Sequence, residues 1–507
     1  MTESAMEKLK KREGSFGVVF SALCFLLLTA RCSSPLYMYF YNGYDSSFFT
    51  MMGRAILSGK VMYRDYHDIK GPLFFFWQAL GQSIFTGRGG LFVLEAVCIV
   101  AAAFLIRAIC RLYGLGSRKT VLTMAVFYFM YAAVIWDGNT VEEFVLPLNL
   151  ACIYLGLKYL KGRSLVYPVA LVSGLTFGVC LFSKLTACAP MCAVALVIFI
   201  SLLRKREFAL IVRSALLFLL PVILVGGPIL IYYHSVGALD DMLLWCFRMA
   251  YTRGLDDTYL TSASVEILLW IQMLSPGLFG LVWFFMTRGE ERQDRGLILA
   301  LSLICVPAIL LGSHLPYYLI TLLPLMVVTT AAFLSSVGTV WDAPVDRGRL
   351  ISVLVMTFGL ILVCITYLDR NITNADNDMK SFINATGVQL YGASKELVKT
   401  IPPEERGDVI CMDYGQRFFE INRMLPANRD VLNAMYFSEV IPSLREDMLE
   451  EIREGRHKWI YMEMGDKYNL EEDVENAINS AYEMEDDYGR QLILWKRKEP
   501  GHETAAD

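Results

Sequence analysis

The chain is 507 residues long, 55% hydrophobic and 19% charged, with a formal net charge of −4. Soluble globular domains carry about 25% charged residues, so this composition excludes an ordinary globular protein and points to the membrane. The charge is unevenly divided. Residues 1–369 hold 29 Lys+Arg against 22 Asp+Glu, and residues 370–507 hold 17 against 28. That split predicts two domains in different environments, 1–369 and 370–507.

At the N-terminus, Lys8, Lys10, Lys11 and Arg12 precede an apolar run with no small-residue cleavage site, which reads as a retained signal anchor. Apolar runs of about 20 residues, the length of a membrane span, centre near residues 27, 101, 128, 150, 174, 195, 220, 276, 305, 327 and 359. About eleven transmembrane helices are therefore expected, with Lys184 dividing the 165–203 stretch into two segments. Every second connection is short and basic: Arg111, Arg118 and Lys119; Lys158, Lys161 and Arg163; Arg204, Lys205 and Arg206; Arg288, Arg292 and Arg295; Arg347 and Arg349. Basic loops stay cytoplasmic. The expected topology puts the N-terminus inside and residues 40–90, 136–143, 234–264 and the acidic tail outside. Most cysteines lie in apolar runs and read as small buried hydrophobes. The tail has only Cys411, so no disulfide framework is expected there.

The first outer loop carries Tyr41-Asn-Gly-Tyr-Asp-Ser-Ser-Phe-Phe-Thr50 and then Tyr63-Arg-Asp-Tyr-His-Asp-Ile-Lys-Gly-Pro72. Asp45 stands where a span meets water, and Arg64, Asp65, Asp68 and Lys70 follow. Ionisable groups at that depth are costly to desolvate and mark function. Phe48, Phe49, Met52, Ala55 and Ile56 share one face of a helix expected from Asp45 to Ser58, with polar groups opposite. A second apolar segment, Pro72 to Phe85, opens with proline at a helix-starting position. Both read as helices lying in the membrane interface; a re-entrant structural cap is the alternative.

Asp45 at the start of a helix is favoured in its ionised form by the helix dipole. Two readings are open for it: a helix cap, or a general base that takes a proton from an acceptor hydroxyl. Lys70, Arg64 and Lys184 are candidates to neutralise a departing phosphate. In the second outer loop, Asp137 precedes an Asn139–Thr140 N-cap region. Glu142 and Glu143 then open an apolar span on different helix faces, so that one can face a cavity while the other meets water. Lys184 either faces the protein interior or snorkels to the interface. His314, beside Tyr317 and Tyr318, is a hydrogen-bonded structural histidine or a ligand-binding one. Arg248 and Arg253 are loop charges or phosphate contacts. The tail alternates strand-like runs (Val409–Met412, Trp459–Met464, Gln491–Trp495) with helical patterns (Ala393–Thr400, Ser438–Arg453, Leu470–Tyr482), predicting a small α/β domain. It shows no phosphate-binding glycine loop.

Asp45-Ser-Ser-Phe-Phe, Gly59-Lys-Val-Met-Tyr-Arg-Asp-Tyr-His-Asp-Ile-Lys-Gly-Pro72, Asn139-Thr-Val-Glu-Glu-Phe-Val-Leu-Pro147, Phe182-Ser-Lys-Leu-Thr186 and His314-Leu-Pro-Tyr-Tyr-Leu-Ile-Thr-Leu-Leu-Pro324 together resemble the bacterial GT-C glycosyltransferases. These are similar to protein O-mannosyltransferases and lipid A aminoarabinose transferases, and the resemblance covers about residues 15–370. It implies an α-helical polytopic membrane protein of GT-C type; the small C-terminal α/β extracytoplasmic domain, read from the alternation above, lies beyond the resemblance. The family's base falls on Asp45, its donor-phosphate lysine on Lys70, and its acidic binding residue on Asp137 or the Glu142/Glu143 pair. Asp65, Asp68, Arg248, Arg253, His314 and Tyr317 complete the candidate donor or acceptor contacts. Asp45 is followed by Ser46 where the eukaryotic-type pattern has a second acid, so no two-carboxylate scheme is carried over.

The activity this implies is an inverting transfer of a sugar from a polyprenyl-phosphate donor to a glycan, lipid or protein acceptor at the outer face of a bacterial plasma membrane. No cofactor is expected, a divalent metal is left open, and no nucleic-acid partner is expected. A transporter or flippase for lipid-linked glycans, or a glycan polymerase or ligase, is the alternative.

Overall fold

The structure is a computed structural model and describes residues 44–135, 138–162, 165–254, 274, 277–278, 280–281, 294–310, 316–340, 386–413, 415–431, 441, 443–463, 471–488 and 492–499. The main helices, in chain order, are α1 (Tyr44–Leu57), α2 (Pro72–Ile84), α3 (Arg88–Leu112), α4 (Ser117–Val134), α5 (Val141–Leu160), α6 (Val166–Leu181), α7 (Ala189–Arg204), α8 (Phe208–Ser235), α9 (Arg295–Leu310), α10 (Leu323–Val340), α11 (Thr386–Thr400), α12 (Gln416–Asn422), α13 (Ser443–Arg453) and α14 (Glu472–Ala481). The strands are β1 (Val409–Asp413), β2 (Trp459–Glu463), β3 (Tyr482–Tyr488) and β4 (Leu492–Arg497).

Among the described residues, five helical stretches are long and apolar enough to cross a membrane: Arg88–Leu112, Val141–Leu160, Leu185–Arg204, Phe208–Ser235 and Pro316–Ser336. They coincide with the apolar runs near residues 101, 150, 195, 220 and 327. The runs near 174 and 305 form shorter apolar helices, and that near 128 forms α4. The runs near 27 and 359 lie outside the described residues, as does most of that near 276. The molecule is a multi-pass membrane protein.

The chain divides into two compact units. The first comprises Met1–Ser34, Leu91–Ile231 and Gly254–Lys380. In it α5 packs on α6 and α7, α7 on α9, and α10 on α4. The 165–203 stretch is broken at Lys184: α6 ends at Leu181, a 3-10 turn runs Leu185–Cys188, and α7 restarts with Pro190 in its first turn. Proline there is tolerated because the first N–H groups of a helix have no partner within it. Gly174 lets α6 touch α8, since a Cβ on it would lie 2.1 Å from the Phe218 carbonyl oxygen.

The second unit comprises Pro35–Gly90, Tyr232–Arg253 and Ser381–Asp507, so it joins the first outer loop to the tail. α1 carries Asp45 in its first turn and Arg54 in its last, the polarity that the helix dipole favours. It packs on α2 and on α12. Gly53 makes the α1–α2 contact close, for a Cβ there would sit 2.6 Å from the Gln78 carbonyl carbon. Phe48, Phe49, Met52 and Ala55 are buried, with Ile56 half-buried.

The expected polar, water-facing side of α1 is corrected. Ser46, Ser47 and Thr50 are buried too, because the tail helix α12 packs on α1, so the first half of α1 is enclosed by protein. Thr50 Oγ1 donates to the Ser46 carbonyl at 2.8 Å, and Gln82 of α2 donates to the Thr50 carbonyl. α2 begins at Pro72 as expected, with Leu80, Ile84 and the following Phe85 exposed at its far end.

The tail forms a four-stranded sheet in the order β1-β2-β4-β3. β1 and β2 are parallel, with Val409 opposite Trp459; β4 runs antiparallel to both β2 and β3. The three strands expected from the sequence are present, with Met464 and Gln491 outside the described residues. The edge strand β3 was not expected. Its Glu483, Glu485, Asp486 and Asp487 hide the apolar alternation, and charge of this kind protects an exposed sheet edge. Ile410, Met412, Ile460, Met462, Ile493 and Trp495 of the sheet pack with Leu449, Ile452, Val474 and Ile478 of α13 and α14.

Candidate functional site

In the second unit the loop from Gly59 to Gly71 brings Lys70 onto α1. The turn is tight: Tyr63 has φ +71°, and its N–H donates to the Tyr66 carbonyl at 2.7 Å. Asp65 Oδ2 accepts the Val61 N–H at 2.6 Å. Asp68 Oδ1 accepts the N–H groups of Ile69 and Lys70 at 2.6 and 3.3 Å, and the buried Tyr63 hydroxyl donates to the Lys70 carbonyl at 2.6 Å. The backbone at Lys70 is thus tied from both sides. Its ammonium lies 4.3 Å from the centre of the Phe49 ring. Phe49 is one helical turn after Asp45, so Lys70 stands over the first turns of the helix that carries the half-buried Asp45.

Asp68 is completely buried, and its Oδ2 has no hydrogen-bond partner among the described residues. Burial pushes its carboxyl above the usual range. The Lys70 ammonium and the two N–H groups oppose that rise, and the negative charge of Asp45 adds to it. Asp45, Asp68 and Lys70 are therefore electrostatic neighbours. Arg64 and Asp65 pair with each other at 3.4 Å on the exposed turn, and Arg64 also donates to the Val236 carbonyl. Partial burial pushes the Asp65 carboxyl up, but the Val61 N–H and the Arg64 guanidinium outweigh it and hold Asp65 below its ordinary value.

The first unit holds a second polar cluster. Thr140 caps α5, and its N–H donates to Glu143 Oε2 at 2.9 Å, the back-bond of a capping box. Glu143 also accepts the Tyr131 hydroxyl at 2.5 Å. Its neighbour Glu142 points elsewhere and pairs with Lys184 at 2.5 Å. Both carboxylates are buried, so the expectation that one of them meets water is corrected: each has a protein partner instead. The Lys184 ammonium lies 3.1 Å from the centre of the Tyr318 ring and 5.6 Å from that of Tyr317. Lys184 thus faces the protein interior, in a cage of one carboxylate and two aromatic rings.

Arg248 is exposed on a π-helical turn, Leu244–Met249. Asp137, His314 and the Arg253 side chain lie outside the described residues. Among the described residues no three His, Cys, Asp or Glu side chains gather as a metal site. Two participants had no signal in the sequence: Arg88, which reads as the flank of an apolar run, and its partner Glu420.

No family model matches this chain, and no curated protein matches it by sequence. Solved structures do. ArnT from Cupriavidus metallidurans bound to undecaprenyl phosphate superposes with a TM-score of 0.59 at 13% identity, over 95% of this chain and 98% of that one. ArnT from the same organism in the apo state gives 0.53 at 14% identity, over 93% and 97%. The match runs through both compact units. The fold of this chain is that of a GT-C glycosyltransferase resembling ArnT.

Proposed function

We propose that this protein transfers a sugar from a polyprenyl-phosphate carrier of the undecaprenyl type to an acceptor hydroxyl, with inversion, at the outer face of a bacterial plasma membrane. The observation that carries the reading is the placement of Lys70 over the first turns of the helix that bears Asp45. The likeness to a structure holding undecaprenyl phosphate supports the class of donor.

Asp45 accepts the proton of the acceptor hydroxyl, whose oxygen then attacks the anomeric carbon of the donor. The bond from that carbon to the phosphate oxygen breaks, and the lipid phosphate leaves with the electron pair. Negative charge grows on the phosphate as the bond lengthens, so a fixed ammonium stabilises the transition state more than the ground state. Lys70 fills that role, with Arg64 at the rim. Asp68 holds the Lys70 backbone and, by charge, the ammonium itself. In the first unit, Lys184 binds an anion only by exchanging Glu142. The acceptor is a glycan, lipid or protein, and the chemistry written here needs no cofactor.

The test is transfer from a synthetic undecaprenyl-phosphate sugar by purified protein in liposomes. Asp45→Asn is expected to keep folding and donor binding and to lose roughly a hundredfold or more in rate. Near-native transfer by Asp45→Asn overturns the assignment.

A further inference from the structure

Both ends of α1 are held by arginines that reach the same short helix of the tail. Near its start, Ser47 Oγ accepts a hydrogen bond from Arg88 Nη2 at 3.0 Å. The same guanidinium donates to Glu420 of α12 through a fork, Nε to Oε1 at 2.7 Å and Nη2 to Oε2 at 2.8 Å. Ser47, Arg88 and Glu420 are 0%, 2% and 6% exposed. Near the end of α1, Arg54 donates to the carbonyls of Phe419 at 3.0 Å and Met424 at 2.8 Å, and more weakly to that of Glu420 at 3.4 Å. The Phe419 and Glu420 carbonyls lie at the negative end of α12, and Met424 follows just beyond it.

A buried ion pair adds little net stability, because desolvation offsets the attraction; its best-attested use is to select one arrangement. The arrangement selected here is that of the helix carrying Asp45, two residues before Ser47. Displacing a reacting group by about 1 Å costs on the order of a hundredfold in rate. We infer that Glu420 and Arg88 are positioning residues which, through Ser47, set the first turn of α1 for transfer. The tail thereby contributes to catalysis without touching substrate. This inference rests on Asp45 being the base.

The experiment is single-turnover transfer by the full chain in liposomes, from a synthetic undecaprenyl-phosphate sugar. Ser47→Ala and Glu420→Gln are each placed in the native and the Asp45→Asn backgrounds. In the native background Ser47→Ala is expected to slow transfer about threefold to tenfold, and Glu420→Gln about tenfold or more. Direct binding of the donor lipid by Ser47→Ala stays unchanged, and the fall in unfolding midpoint from losing the buried hydrogen bond is the same in both backgrounds. In the Asp45→Asn background Ser47→Ala causes no further loss of rate, because the group being positioned is already gone.

Equal proportional losses of rate in both backgrounds, or no loss of rate from either substitution in the native one, overturn the positioning role while leaving the base intact. Near-native transfer by Asp45→Asn alone overturns the base, and the positioning role falls with it. Ser47→Ala removes one hydroxyl and leaves the ion pair whole, so it decides the matter even where Glu420→Gln fails to fold.

Discussion

Lys70 holds its ammonium 4.3 Å from the centre of the Phe49 ring, a cation-π contact one turn along α1 from Asp45. Such contacts stabilise by about 0.5–2 kcal/mol depending on desolvation, enough to fix where a flexible lysine spends its time. Lys70→Met is expected to depress the single-turnover rate by more than it weakens donor binding. Lys70→Arg recovers only part of the loss, because a planar fork does not replace a compact charge. Equal losses of rate and binding would make Lys70 a tether for the headgroup.

The Lys184–Glu142 pair gives a stability prediction. Its side chains are only 15% and 2% exposed, so losing one partner strands a buried charge at a cost of about 3–5 kcal/mol. Lys184→Met alone should lower the thermal unfolding midpoint markedly. The double variant Lys184→Met with Glu142→Gln should recover most of that fall, because neutral groups of similar shape leave no charge unpaired. A double variant no more stable than the single one would refute the pairing.

Asp68 sets a pH dependence. Burial raises its folded pKa above the ordinary value of 3.8. Between those two values the folded state binds more protons than the unfolded one, so stability falls as pH rises through the window. The stabilising contribution is complete below the ordinary carboxylate value and is lost once pH passes the raised one. Asp68→Asn should flatten this part of the stability profile, measured by denaturant midpoints across a pH series. An unchanged profile would place the titration on another group.

The expected topology puts the tail outside the cell, on the strength of the basic loops. Protease added to intact protoplasts should then remove the chain beyond about residue 370, while the basic loops resist until lysis. A tail protected in intact cells would reverse the assignment.

The parts of the fold legible in the sequence were those written locally. Asp45 ahead of an apolar-periodic run marked α1, Pro72 marked the start of α2, and the lone cation Lys184 marked a break between two helices. What was not legible depends on partners far away in the chain. Reading a water-facing side onto α1 assumed solvent opposite Phe48 and Phe49; the cover is α12, which follows hundreds of residues later. Arg88 and Glu420 are 332 residues apart, and no spacing rule spans that distance. The Lys184–Glu142 pair has no signal in the sequence for the same reason, its members lying 42 residues apart. β3 was concealed by its own acids, which suit a sheet edge and spoil a strand pattern.

The clamp on α1 also sets a timetable for biogenesis. A ribosome adding roughly 5–20 residues per second needs about 17–66 s to travel the 332 residues from Arg88 to Glu420. Throughout that interval Arg88 lacks its carboxylate partner and Arg54 lacks the carbonyls it reaches, while later spans are already entering the bilayer. A nascent chain that stops short of α12 leaves its proposed base on an untethered helix. On the proposed function, chains that stop short of α12 are expected to transfer poorly, because the Arg88–Glu420 pair that steadies α1 cannot form.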